Sequence, residues 1–190
     1  TPFGPTLLVQ CFVEAGLPPG VINFVTGQKE TGRALVDHPG VDGITFTGSY
    51  RVGMEIYAKV ASGRRPRPVI TEMGGKNPAI VARSANLDLA AEGVARAAFG
   101  LSGQKCSACS RVFVHADVKD AFATKLAAQA EKIQIGDPTQ QEYWMGPVIN
   151  RRAYEAYKAH VAELRAQGRI LTGGTTLDPH GFYVAPTVVA

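Results

Sequence analysis

Apolar residues fall into runs that alternate between helical and extended spacing. Residues 5–16, rich in Leu, Val and Phe, predict a helix with Pro5 near its start and Gly16 as its stop. Leu-Pro-Pro-Gly at 17–20 is a turn, and the apolar run 21–25 predicts a short strand. A second helix is expected over 30–35 or a little beyond, broken by His38-Pro39-Gly40. A strand follows at 43–46, and Thr47-Gly48-Ser49 turns the chain into a third helix, 50–61. Residues 63–68 form an Arg/Pro-rich loop and 68–71 a strand that ends at Glu72-Met73-Gly74-Gly75. Beyond the double glycine the pattern predicts a strand at 78–81, an Ala-rich helix at 87–99, a Gly/Ser/Cys loop at 100–110 and a strand at 111–115. Helices at 118–133 and 151–166 follow, then late strands at 169–171 and 182–189 around Gly173-Gly174. Helices alternating with short apolar strands mark an α/β fold built on parallel sheet. The double glycine near residue 74 is the expected hinge between two α/β units.

Composition narrows the function. The chain has 190 residues, 45% hydrophobic and 19% charged, the balance of an ordinary globular protein. Its net charge is +4, but the one tight basic cluster, Arg64, Arg65 and Arg67, is broken by prolines and has no interleaved aromatics. That is a solvated loop rather than a nucleic-acid surface. Three cysteines leave a disulfide framework incomplete, which favours a reducing, cytoplasmic compartment. No run of ~18 apolar residues predicts a membrane span, and no signal peptide is recognised. A start at Thr-Pro-Phe-Gly-Pro without Met leads us to expect an internal fragment or a processed chain.

Three places carry candidate chemistry. The turn Phe46-Thr47-Gly48-Ser49, with Val52 and Gly53 just beyond, follows a strand and opens a helix. Unpaired N–H groups and the helix dipole make such a turn a phosphate site, although the same residues also make a plain N-cap. The usual G-x-G-x-x-G fingerprint is missing. Glu72 closes an apolar strand, where a partly desolvated carboxylate becomes a better base; the alternative is a surface Glu. Cys106 lies in a loop of small residues beside Lys105, whose charge favours the nucleophilic thiolate. The alternatives there are a buried inert thiol or a redox pair with Cys109. A zinc site lacks matching spacing among Cys11, His38, His115, His160 and His180, so no metal is expected.

Five motifs together resemble the aldehyde dehydrogenase superfamily over nearly the whole chain. They are Gly-Leu-Pro-Pro-Gly-Val-Ile-Asn-Phe-Val (16–25), Phe-Thr-Gly-Ser (46–49), Glu-Met-Gly-Gly-Lys-Asn (72–77), Gly-Gln-Lys-Cys-Ser (103–107) and Gly-Phe-Tyr-Val-Ala-Pro-Thr-Val (181–188). Glu72 and Cys106 stand 34 residues apart, as the family spaces its base and nucleophile. The resemblance implies that residues 1–73 are the second half of a Rossmann-like NAD(P)-binding domain. Residues 74–190 would be most of the α/β catalytic domain, truncated at its C-terminal end. Cys106 would attack the aldehyde and Glu72 would activate water, while the Cys106 N–H and an upstream Asn outside this chain would hold the oxyanion. Phe46, Thr47, Gly48, Ser49, Val52, Gly53, Met73 and Gly74 would line the cofactor site, with Gly48 and Ser49 at the pyrophosphate and the Met73 backbone near the nicotinamide.

Within the superfamily, Gly-Gln-Lys-Cys-Ser-Ala-Cys-Ser-Arg-Val is most similar to the 1-pyrroline-5-carboxylate dehydrogenases, which oxidise L-glutamate γ-semialdehyde to glutamate in proline breakdown. The similarity implies that Lys105 and Ser107 hold the substrate's α-carboxylate and that Phe99 lines the tunnel. The expected cofactor is NAD, with NADP the alternative, and the expected partner is a small aldehyde. A homo-oligomeric parent is implied, cytoplasmic or, in a eukaryote, in the mitochondrial matrix. The turn at 26–30 is about one residue shorter than the family's and lacks its second glycine. Other readings are a different aldehyde substrate, a non-catalytic member of the fold and a C-x-x-C thiol oxidoreductase.

Overall fold

The computed structural model describes residues 2–177 and 181–190; His180 and Thr1 lie outside the described residues. The chain forms two compact units, Thr1–Met73 and Gly74–Ala190.

In the first unit, α1 (Phe3–Glu14) starts two residues earlier than expected. It ends in a Schellman turn: Gly16 N–H donates to Val13 O and Leu17 N–H to Phe12 O, both at 3.0 Å. Gly16 has φ +86°, which a side chain would resist. Helix α2 (Lys29–Asp37) stops where His38 becomes extended before Pro39. Strand β1 (Ile44–Gly48), α3 (Tyr50–Ala61) and β2 (Val69–Met73) form a βαβ unit with parallel strands. Ile56 and Val60 of α3 are buried on one helix face. The basic loop is structural: Arg65 pairs with Asp42 at 2.6 Å, and Arg67 donates to Val36 O at 2.9 Å and Val41 O at 3.2 Å.

One expected strand is absent: among the described residues, 21–25 do not join a sheet. An extended segment becomes a strand only where neighbouring backbone completes its hydrogen bonds, and here only Val21 N–H is paired, back to Pro18 O. Val21, Ile22, Phe24 and Val25 are exposed, and α1 buries none of its residues.

In the second unit, β3 (Asn77–Val81) and β4 (Cys109–Val114) are parallel and joined through α4 (Leu87–Phe99) and a short left-handed turn. Asn86 caps α4, accepting from Asp88 N–H and Leu89 N–H at 3.1 and 3.3 Å. After a 3-10 turn, α5 (Lys119–Glu131) packs on α4. The core interlocks Ala91, Val94 and Ala95 with Phe122, Leu126 and Ala130 at helical spacing, closed by Val81 and Val188. Helix α6 (Arg151–Ala166) is capped by Asn150. Strands β5 (Ile170–Thr172) and β6 (Val188–Val189) pair antiparallel. The strand expected over 182–189 is shorter than that, with only an isolated bridge at Val184 to Thr176. Pro186 supplies no N–H to continue the ladder.

Among the described residues, no helix is long and apolar enough to cross a membrane and no three His, Cys, Asp or Glu side chains cluster as metal ligands.

Candidate active site

In the first unit the candidates meet at the carboxyl edge of two parallel strands, the edge where α/β folds bind ligands. The register pairs Thr47 with Glu72 and Gly48 with Met73. Alternation splits them between two faces. Phe46 and Met73 face α3, where Gly53 is buried; a Cβ on Gly53 would lie 2.6 Å from Met73 Sδ and 3.4 Å from the Phe46 ring. Gly53 therefore lets α3 sit close to the sheet. Thr47 and Glu72 lie on the other face, which nothing in this unit covers, so both are exposed, as is Ile70. The desolvation expected at Glu72 is thus not supplied by its own unit, because a two-stranded sheet with one helix leaves one face bare.

Ser49 is the N-cap of α3, its Oγ accepting from Val52 N–H at 3.4 Å. Gly53 N–H is bonded to Ser49 O. Tyr50 and Arg51 N–H have no acceptor among the described residues, and Gly48, Ser49, Tyr50 and Arg51 are exposed. Two free amides at the positive end of a twelve-residue helix suit a phosphate. Gly74 is exposed, with open space around it.

In the second unit the nucleophile candidate occupies a tight turn. Ala108 N–H donates to Lys105 O at 3.2 Å, placing Cys106 and Ser107 at the turn's outer corners, both exposed. The Cys106 thiol is free. Its backbone N–H has no acceptor among the described residues and so is free to donate to a bound oxyanion. Lys105 reaches back over Gly100, where a Cβ would come 2.9 Å from Nζ and 3.8 Å from the Trp144 ring. Among the described residues of this unit no carboxylate pairs with Lys105. Phe99, the last residue of α4, is half-buried against the core, and it lines an open cavity of about 560 Å³ together with Cys109 and Arg111. Cys109 is also a free thiol, with its Sγ donating to Arg111 O at 3.4 Å.

The approach to this turn holds features that composition did not reveal. Leu101 and Ser102 adopt φ of 54° and 55°, followed by Gly103 at 70°. Left-handed backbone costs a non-glycine residue about 1–2 kcal/mol. Ser102 Oγ offsets part of this by donating to Gly146 O at 2.8 Å. Gly103 has no room for a side chain, since a Cβ would press on Ala98 O at 3.0 Å. Gln104 braces the same segment: its Oε1 accepts from Ile149 N–H at 2.8 Å and its Nε2 donates to Leu101 O at 3.3 Å.

The model of the aldehyde dehydrogenase family matches residues 1–190. The chain is 45% identical to 1-pyrroline-5-carboxylate dehydrogenase 1 of Halalkalibacterium halodurans, over all of this chain and 38% of the relative. It is 43% identical to the 1-pyrroline-5-carboxylate dehydrogenase of Geobacillus kaustophilus, with the same coverage. Among solved structures it resembles 1-pyrroline-5-carboxylate dehydrogenase from Thermus with bound NAD, at TM-score 0.88 and 35% identity over 96% of this chain and 36% of that one. It also resembles proline utilization A of Bradyrhizobium japonicum, at TM-score 0.93 and 35% identity over 100% of this chain and 19% of that one. The chain thus spans less than two-fifths of the length of these curated relatives. Its α/β fold is that of the aldehyde dehydrogenases, and the chain belongs to the aldehyde dehydrogenase family.

Proposed function

We propose that this chain carries the nucleophile, the general base and part of the cofactor site of a full-length enzyme that oxidises L-glutamate γ-semialdehyde to glutamate. On this reading residues 1–73 belong to the NAD(P)-binding domain and 74–190 to the catalytic domain. The observation that carries it is the exposed Cys106 thiol at the corner of a braced turn, beside a backbone N–H and a Lys105 ammonium that have no partner among the described residues. The uncovered face of Glu72 and the unpaired segment 21–25 support a larger cofactor domain.

Cys106 Sγ adds to the aldehyde carbon, giving a thiohemiacetal whose oxyanion the Cys106 N–H stabilises. When bound, NAD supplies the acceptor for the hydride that leaves this carbon. Glu72 takes a proton from water as its oxygen attacks the resulting thioester; the acid departs and Cys106 regains its thiol. Lys105 and Ser107, flanking the nucleophile, grip the substrate's carboxylate by a charge-assisted contact and a hydroxyl, and Phe99 packs against its aliphatic part. The free amides of Tyr50 and Arg51, with Gly48 and Ser49, suit the cofactor's pyrophosphate; Phe46, Thr47, Val52 and Gly53 lie around that turn, and Met73 and Gly74 at the nicotinamide end. Three free thiols suit a reducing, cytoplasmic compartment. The full-length enzyme is a homo-oligomer on this reading, which light scattering would test.

Steady-state kinetics of the full-length enzyme test the proposal. Glutamate semialdehyde should be oxidised with a far higher kcat/KM than propanal or hexanal. Equal values for the acidic and aliphatic aldehydes would defeat the substrate assignment.

A further inference from the structure

Two consecutive residues after the double glycine reach into the segment around the nucleophile. Asn77 Nδ2 donates to Cys106 O at 2.6 Å and to Ala108 O at 3.3 Å. Immediately before it, Lys76 O accepts from Arg111 Nη2 at 2.8 Å. A bulge accompanies these contacts. Along β3 the partner of Asn77 is Cys109, but the partner of Pro78 is Arg111, so Ser110 is skipped. Bulges bend a strand and re-aim its side chains, and they recur beside active sites.

Counting backbone partners shows what the carboxamide accomplishes. In the turn at 105–108, Lys105 O is taken by Ala108 N–H, and the carbonyls of Cys106 and Ala108 are both taken by Asn77. One amide group with two hydrogens thus holds the two carbonyls that flank Ser107. Ser102 and Gln104 brace the approach to the turn through Gly146 and Ile149. Among the described residues, Asn77 is the side chain that holds the turn's own far-side carbonyls, those of Cys106 and Ala108.

We propose that Asn77 is a positioning residue for the nucleophile: through the carbonyls of Cys106 and Ala108 it fixes the turn that aims the Cys106 thiol and its backbone N–H. The inference rests on Cys106 being the nucleophile. A misplacement on the order of 1 Å at a reacting group can cost about 100-fold in rate, so a side chain that never touches substrate can still govern turnover.

The test uses the full-length enzyme and three variants. Asn77→Asp keeps the shape and, at neutral pH, replaces the donor with a carboxylate facing two carbonyls. Asn77→Gln keeps the donor on a longer stem. Asn77→Ser keeps a single shorter donor and carries the test should the Asp variant not fold. Two readouts are taken: kcat and KM for aldehyde oxidation, and the iodoacetamide alkylation rate of Cys106 resolved by peptide mass spectrometry, with exposed Cys11 as internal reference.

Asn77→Asp should lower kcat about 10–100-fold with the KM for NAD unchanged. It should change the Cys106 alkylation rate while leaving that of Cys11 alone. Asn77→Gln should recover part of kcat, and Asn77→Ser should fall between. Wild-type kcat and Cys106 reactivity in a folded Asp or Ser variant would overturn the proposal. So would equal losses in Gln and Asp that track only a lowered Tm. If the wild-type enzyme does not oxidise glutamate semialdehyde, the functional reading fails instead, and the alkylation ratio alone decides the role of Asn77.

Discussion

Tyr157 offers a test of how the last part of the chain is held. Its hydroxyl, half-buried on α6, lies 3.2 Å from Thr175 O, 3.0 Å from Ala185 O and 2.9 Å from Thr187 Oγ1. Three contacts suggest a large penalty for Tyr157→Phe, but the hydroxyl has one proton and donates to one partner at a time. The partners are also served elsewhere. Thr175 O keeps Ala185 N–H at 2.9 Å, and Ala185 O keeps Thr187 Oγ1 at 3.0 Å. No buried group is orphaned, so the loss is that of a single hydrogen bond, about 1 kcal/mol. Thr187→Val, although nearly isosteric, removes the hydroxyl that accepts from Gly174 N–H, 3.0 Å away, and should cost about 1–3 kcal/mol. The double variant should cost less than the sum.

Burial raises the Tyr157 pKa above its ordinary value, partly countered by its hydrogen bond to Thr187. The folded state therefore keeps this proton longer than the unfolded chain does. The contribution is complete below the unfolded value near ~10 and is lost as pH rises through the folded value. Urea unfolding of wild type and variants at pH 7.5, repeated across the alkaline range, measures both effects. A Tyr157→Phe loss of about 3 kcal/mol or more, or a Thr187→Val loss smaller than that of Tyr157→Phe, would refute the counting.

Three further outcomes are expected. Gly53→Ala should force the flexible Met73 side chain to shift, because its Cβ meets Sδ at 2.6 Å, while alanine's helix propensity offsets about 1 kcal/mol, so stability should change by no more than about 1 kcal/mol; a loss of about 3 kcal/mol or more in thermal melts would contradict that packing. In the full-length enzyme, Lys105→Met should reduce kcat/KM for glutamate semialdehyde about 10–100-fold and leave that for propanal nearly unchanged; equal losses on both would remove Lys105 from the carboxylate. The 190-residue chain by itself should show no NAD-linked aldehyde oxidation by absorbance at the NADH band, since Glu72 lies on an open face; measurable turnover would show that the remaining parts are dispensable.

Locally determined features were legible in the sequence. Helices α3, α4 and α6 start after Ser49, Asn86 and Asn150, whose side chains cap them, and cap chemistry acts within four residues. The turn at Cys106 was legible for the same reason, being built from small residues between a helix and a strand. Features that depend on distant partners were not. The segment 21–25 has strand composition, yet strand formation needs backbone from elsewhere. Glu72 looked half-desolvated, yet its exposure depends on what covers the second face of β1 and β2. Leu101 and Ser102 gave no sign of left-handed backbone, which glycine usually marks. Asn77 stood inside a recognised motif without a role; an amide opening a strand, where Asn is disfavoured, was the one available signal.

The central claim is that Cys106 carries the acyl group and Glu72 releases it. It is tested most directly by giving full-length Glu72→Gln enzyme glutamate semialdehyde and NAD, quenching in acid and mapping the adduct by peptide mass spectrometry. One burst of NADH is expected, with a glutamyl thioester that fragmentation of the peptide localises to Cys106 rather than to Cys109. Steady wild-type turnover with no adduct, or an acyl group on Cys109 or Cys11, would contradict it.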